Sequence, residues 1–372
     1  MVATMSVCRT VILVAWFAAA LPVIAAEQHL LYAASPGIRN YVEYGGVGIV
    51  VFDRDQDYRF VRRIPTWEVP AGAEPENVKG IAASGKTGIV YVSTVKRLAA
   101  FDAVSSKKLW DIAPEGGCDR MALSPDGKLL FVPAFEGPHW TVVDAANGKV
   151  LAKIQTGSGS HNTIYAPDGS RVYMAGLRSN LLSIADPKTN SVVATVGPFA
   201  APIRPFTVNG SNTLCFVNVN GLLGFEVGDI RTGKKLARVE LPGVKDGPVK
   251  RHGCPSHGIA LTPDEKELWV ADGPNNYIHV FDATVMPPAE KEKIKVRDLP
   301  GWIAFSIDGR HVFSSSGEVI DARTKKIVAT LKDEGGREFQ SEKVVEVVVD
   351  GGKVVRAGDQ FGIGGKGPSP TR

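Results

Sequence analysis

Seven times along the chain a short apolar run ends in an aspartate, followed by a turn and a second strand-like run: Asp53, Asp102, Asp144, Asp186, Asp229, Asp282 and Asp321. The intervals are 49, 42, 42, 43, 53 and 39 residues. A repeat of about 40–45 residues is the period of a four-stranded propeller blade, and seven blades can close a ring. A closed ring gathers one loop from every blade around a central channel. The repeat therefore says where a functional site should lie before it says what the site does.

Each unit reads in the same order. In the copy at residues 257–288, alternating apolar stretches (Ile259 to Leu261, Leu268 to Val270, Ile278 to Phe281) have strand period and are separated by turn residues. The first turn recurs as Ser124-Pro125-Asp126-Gly127, Ala166-Pro167-Asp168-Gly169, Thr262-Pro263-Asp264-Glu265 and Ser306-Ile307-Asp308-Gly309. Proline presets its φ, aspartate bonds back to its own backbone and glycine supplies positive φ, which is hairpin chemistry. No sustained helical periodicity occurs after the first 26 residues, so the fold expected is all-β: a seven-bladed propeller of four-stranded blades over residues 27–360. The first unit offers only three strands, His29 to Ala33, Val47 to Phe52 and Tyr58 to Ile64. A surplus stretch, Lys343 to Asp350 and then Lys353 to Ala357, follows the seventh. The C-terminal segment is expected to supply the first blade's missing inner strand, removing two open sheet edges. Residues 361–372, rich in Gly and Pro, read as a flexible tail.

Residues 1–26 read as a secretory signal: Arg9, the apolar run Val11 to Ala20, and small residues up to Ala25-Ala26. An uncleaved anchor is the alternative. The expected location is periplasmic or extracellular, with no membrane span once the signal is removed. A formal charge of +4 over 372 residues, with no basic run interleaved with aromatics, gives no case for nucleic acid. The expected partners are a small molecule, or a protein or cell-surface component, bound by a monomer. Cys118, Cys215 and Cys254 remain in the mature chain, an odd number. Cys118 and Cys254 lie three blades apart, which disfavours a disulfide.

Superposing the repeats on their first turns puts Lys79, Asp119, His161, Ile203, His257 and Gly301 at one register position, and Gly80, Arg120, Asn162, Arg204, Gly258 and Trp302 at the next. Innermost strands line a propeller's channel, so these residues should share one mouth. Polar residues at a strand entrance need no function one at a time. Two adjacent positions rich in His, Arg and Lys point to a ligand site. Arg and Lys suit a carboxylate, phosphate or developing oxyanion, and His161 and His257 suit acid–base work. Lys79, Asp119, Arg120, Asn162, Arg204 and Trp302 are expected to bind the ligand, with His139 as a secondary candidate on the same face. The run Lys250-Arg251-His252-Gly253-Cys254-Pro255-Ser256-His257 offers His252, Cys254 and His257 as a divalent-metal set, in a spacing that matches no specific zinc motif. There is no Cys-x-x-Cys-His for covalent haem, no Gly-x-Ser-x-Gly elbow, no His-Glu-x-x-His and no phosphate loop.

Units such as Gly88-Ile89-Val90-Tyr91-Val92-Ser93, Ser124 to Val132, and Asp144 to Lys149 followed by Val150 to Ile154 resemble YVTN-type β-propeller repeats over nearly all of the mature chain. That resemblance implies the fold. It is weak for activity, since the wider superfamily includes exported bacterial surface proteins, lactonases, a streptogramin-type lyase and quinoprotein or haem-dependent dehydrogenase subunits. Two functions stay open: an exported lactonase- or lyase-like enzyme acting on a small anionic or oxygen-rich molecule, and a non-catalytic scaffold using the same face.

Overall fold

The computed structural model describes Met1, residues 27–241 and residues 252–365. Residues 2–26, on which the expected signal falls, residues 242–251, which include Lys250 and Arg251, and residues 366–372 lie outside the described residues. The chain forms seven antiparallel sheets: six have four strands in sequence order, and the seventh mixes both ends of the chain. The second blade shows the pattern, with Val78–Ala83 innermost, then Ile89–Thr94, Leu98–Asp102 and Lys108–Ile112. The sheets form a ring. It is a seven-bladed β-propeller.

The recurring aspartates are explained by local hydrogen bonding. Each sits at or beside the end of its blade's third strand and accepts a backbone N–H from two or three residues on. The bonds run from Asp55 to Asp53 (3.0 Å), Ser105 to Asp102 (2.7 Å) and Ala146 to Asp144 (2.8 Å). They continue from Lys188 to Asp186 (2.8 Å), Arg231 to Asp229 (2.8 Å), Thr284 to Asp282 (2.9 Å) and Thr324 to Asp321 (2.6 Å). An unsatisfied turn N–H is costly, and a short carboxylate satisfies it locally. Three of the four first turns, opening on Ser124, Thr262 and Ser306, use the hydroxyl of that first residue in the same way. Ser124 Oγ accepts from Leu129 N at 2.9 Å and donates to Asp126 at 2.6 Å.

Burial falls from the channel outward, and the sequence follows it. The fourth strand Ser191–Val196 is exposed at five of six positions, whereas the second strand Val172–Gly176 is buried throughout. Seven apolar clusters fill the seven gaps between neighbouring blades, including the gap between the seventh and the first. Each sheet buries both faces against its neighbours, so the ring is held by blade-to-blade burial rather than one central core.

The ring closes as expected, with Val344–Asp350 pairing antiparallel to the first-blade strand Gln28–Ser35. Lys353–Ala357 then adds a fifth strand to that sheet. Arg54 locks the joint, donating to Glu346 at 2.8 Å and to Asp308 of the seventh blade at 2.6 Å.

The start of the expected tail differs from a free end. Gln360, Phe361 and Ile363 are buried and cross the channel. Gln360 Nε2 donates to Met121 O at 3.0 Å, and its side-chain oxygen accepts from Ile81 N at 3.2 Å. Gly362 O accepts from Leu261 N and Thr207 Oγ1. The glycine-rich composition reads as a linker, but here it lets the backbone pass close to other backbones. A Cβ on Gly365 would lie 2.6 Å from Gly210 Cα. These residues plug one end of the channel.

Candidate functional site at the channel mouth

The structure adds two members to the ring of register positions. Asp53 pairs with Leu30 as Asp102 pairs with Ile89, so Ala34 occupies the position of Ser93. Ser93 pairs with Gly80, and Ala34 N–H donates to Lys343 O. Lys343 is thus the first blade's equivalent of Gly80, and Glu342 that of Lys79. Both are buried. They belong to the site and were not among the expected residues. Running the repeat register back by two residues from the surplus C-terminal strand would have found them.

At the outer position Asp119 is the hub of one cluster. His161 Nδ1 lies 2.7 Å from its Oδ2, Lys79 Nζ 3.4 Å from its Oδ1, and Arg120 N–H donates to Oδ1 at 2.9 Å. Burial alone would raise the Asp119 carboxyl, but His161 and Lys79 hold it below its ordinary range. Burial pulls the His161 ring down, helped by Lys79 and Arg120 and opposed by Asp119. The imidazole is therefore neutral at neutral pH, with Nδ1–H given to the carboxylate. Its Nε2 keeps a lone pair and has no protein partner among the described residues.

Glu342 is the hub of a second cluster. Arg120 Nη2 lies 3.3 Å and Lys343 Nζ 2.8 Å from its Oε2, while His252 Nδ1 lies 2.9 Å from its Oε1. Burial would raise this carboxyl, yet Lys343 and His252 keep it well below the ordinary range. Burial brings Arg120 down to about 10 and Lys343 to about 8, so both stay charged at neutral pH. The His252 and His257 rings stack with centroids 4.8 Å apart. Gly301, chemically mute in the repeat alignment, makes this possible: a Cβ there would meet the His252 ring at 2.1 Å.

One layer deeper, the Arg120 guanidinium lies over the Trp302 ring at 3.3 Å from its centroid. Trp302 Nε1 donates to Gln360 O at 2.5 Å, joining the site to the plug. Arg120 Nη1 and both amide atoms of Asn162 are buried without a hydrogen-bond partner. Such groups are costly unless water or a ligand satisfies them. Arg204 donates to Asn220 Oδ1 at 2.5 Å, and Gly253 passes against its guanidinium. Lys79, Arg120, Arg204 and Lys343 stand against Asp119 and Glu342, so the mouth carries excess positive charge.

Two expected residues fall outside these clusters. Cys254 Sγ lies 3.0 Å from Ser256 O, and burial pushes its thiol up to about 12, so it does not join His252 and His257. Glu342 takes the place expected for it: ligand atoms of His252, His257 and Glu342 all lie within 4.8 Å of one another. His139 begins the third strand of the third blade, where its neighbours are Gly116, Glu115 and Lys153, none of which belongs to either hub. All three described cysteines are free.

A cavity of ≈ 700 Å³ opens at the opposite end of the channel, where Gln360, Phe361 and Ile363 form part of its wall. However, His29 and Asp308 on its lining are already paired with Glu346 and Arg54, and among the described residues no buried carboxylate comparable to Asp119 or Glu342 lines it. The buried carboxylates and their cations are gathered at the charged mouth instead.

No protein-family model matches the chain, and no curated protein matches it. Among solved structures, hydrazine synthase of Kuenenia stuttgartiensis is similar at 14% identity and a TM-score of 0.45, over 68% of this chain and 94% of that one. A likeness at that level carries nothing about activity, and the fold rests on the seven sheets themselves.

Proposed function

We propose that this is an exported propeller that binds a small anionic, oxygen-rich molecule at the charged mouth and moves a proton on it through His161, in lactonase- or lyase-like chemistry. One observation carries the reading. A neutral His161, oriented by Asp119 at 2.7 Å, keeps a lone pair on Nε2 in a mouth where Arg120 Nη1 and the Asn162 amide are buried and unpartnered. A carboxylate would satisfy the guanidinium, and a hydroxyl or ring oxygen the amide. In a lactone hydrolysis, His161 Nε2 takes a proton from water as its oxygen attacks the acyl carbon. The ring C–O bond breaks, and the proton passes to the leaving alkoxide. Arg120 and Lys79 hold the charge that develops. The YVTN-like repeats and the N-terminal signal-like segment fit an exported protein of this kind.

The test uses γ- and δ-lactones and the hydroxycarboxylates they open to. Hydroxycarboxylates should raise the melting temperature of wild type, and Arg120→Gln should abolish that shift. Lactone opening, followed by pH-stat, should be lost in His161→Ala while product binding survives. Absence of both binding and turnover would refute this reading and leave the protein- or surface-binding scaffold.

A further inference from the structure

We propose that His252, His257 and Glu342 form a three-ligand site for a divalent transition metal, with an open coordination position facing the channel mouth. This goes beyond the proton-transfer reading and does not depend on it.

The argument starts from which nitrogen of each ring is committed. His252 Nε2 lies 3.0 Å from Leu299 O, and His257 Nδ1 lies 2.9 Å from Gly301 O. A carbonyl oxygen only accepts, so both of those nitrogens carry their hydrogens. The two carbonyls belong to one short stretch of backbone leading into the seventh blade's inner strand, Ile303–Phe305. They leave His252 Nδ1 and His257 Nε2 as the remaining ring nitrogens. His252 Nδ1 faces Glu342 Oε1 at 2.9 Å, and the ligand atoms of all three residues lie within 4.8 Å of one another. Metal-ligating histidines habitually donate their second nitrogen to a backbone carbonyl, which fixes ring and tautomer. Here both do.

The ligand types narrow the metal. Two imidazoles and one carboxylate suit Zn²⁺, Co²⁺, Ni²⁺ or Cu²⁺, whereas Ca²⁺ and Mg²⁺ take all-oxygen sets. Three protein ligands leave a fourth position open, as in catalytic zinc sites. With metal–nitrogen bonds of about 2.0–2.1 Å, the edges of a tetrahedral site are about 3.4 Å long, so the widest ligand pair must draw in by about 1.4 Å.

The neighbouring charges shape the site further. Arg120 and Lys343 hold Glu342 Oε2, which leaves Oε1 as the single oxygen for a metal. These cations lower the affinity for a dication below that of an isolated pair of histidines and a carboxylate. They also favour an anion, hydroxide or a ligand carboxylate, in the open position. In the metal-free arrangement a proton lies between His252 Nδ1 and Glu342 Oε1, and metal binding displaces it.

The experiment is titration of chelator-treated full-length protein with Zn²⁺ by calorimetry and with Co²⁺ by visible absorption. One equivalent should bind, with proton release that shows as a buffer-dependent enthalpy, and Co²⁺ should give the intense bands of a four-coordinate site. His257→Ala and Glu342→Gln should each weaken binding at least ten-fold. Cys254→Ser should leave it unchanged, because its thiol faces Ser256 O. Folding of each variant is checked by circular dichroism. His257→Ala, which leaves Glu342 with its cations, keeps the test open if Glu342→Gln does not fold. Wild-type binding no tighter than that of His257→Ala overturns the proposal, as does loss of binding in Cys254→Ser. Hydroxycarboxylate binding by chelated wild type reports on the proton-transfer reading alone, so the two failures are distinguishable.

Discussion

Truncating the channel plug at a single side chain gives a sharp test of the architecture. Phe361 is 4% exposed, and its ring meets Trp302 edge-on with centroids 6.0 Å apart, inside the cluster between the fourth and fifth blades. Phe→Ala in a closed core costs about 3–5 kcal/mol, as lost transfer energy plus a cavity term. Phe361 also lines the existing ≈ 700 Å³ cavity, so the gap opens into space already present and the cavity term is small. The expected cost for Phe361→Ala is therefore near the low end, about 3 kcal/mol. Unfolding entropy for a chain this long is about 0.7 kcal/mol/K, which makes the drop in melting temperature about 4 °C. Differential scanning calorimetry and urea unfolding should agree on it. Val328→Ala on an outer strand, where the side chain is 54% exposed, should change stability by less than about 0.5 kcal/mol. If Phe361→Ala melts within about 1 °C of wild type, the C-terminal segment does not pack in the channel and the plug is wrong.

Two further outcomes follow from buried charges. His279 sits between Asp272 (3.2 Å) and Glu290 (2.7 Å), and although burial lowers it, the two carboxylates together raise it above the ordinary histidine value. Because the folded-state value is the higher one, the pair's stabilisation is complete below about pH 6.5 and is lost as pH rises through the folded value. His279→Gln should accordingly cost more stability at pH 6 than at pH 9 in urea titrations, and an equal cost at both would contradict the pairing. Arg54→Ala should cost about 3 kcal/mol, the low end for breaking a buried pair, since the fully buried Glu346 carboxylate then keeps only His29 and the Ile307 N–H, and Arg54→Lys should recover part of it. A cost under about 1 kcal/mol would mean that the joint is solvated.

What could be read in the chain, and what could not, divides by the range of the interactions involved. The seven aspartates are legible because each satisfies a turn N–H two or three residues away, so the requirement and its answer lie in the same short stretch. The same regularity carries Lys79, Asp119, His161 and His257 to one mouth, since side chains at equivalent register positions must face the channel together. Glu342 and Lys343 escaped because they reach that register only through pairing with a strand some 300 residues earlier. The plug escaped too. Nothing local distinguishes a glycine-rich tail from a glycine-rich segment threaded past Gly210 and Leu261. The substitution of Glu342 for Cys254 has the same origin, because proximity in sequence suggested the thiol while ring closure supplied the carboxylate. Fold and site therefore share one element. Glu346, held by Arg54, and Glu342, held by Arg120 and Lys343, lie four residues apart on and just before the closing strand. The bond that closes the ring thus also sets the position of the carboxylate at its mouth, and loosening it in Arg54→Ala should weaken metal binding along with stability.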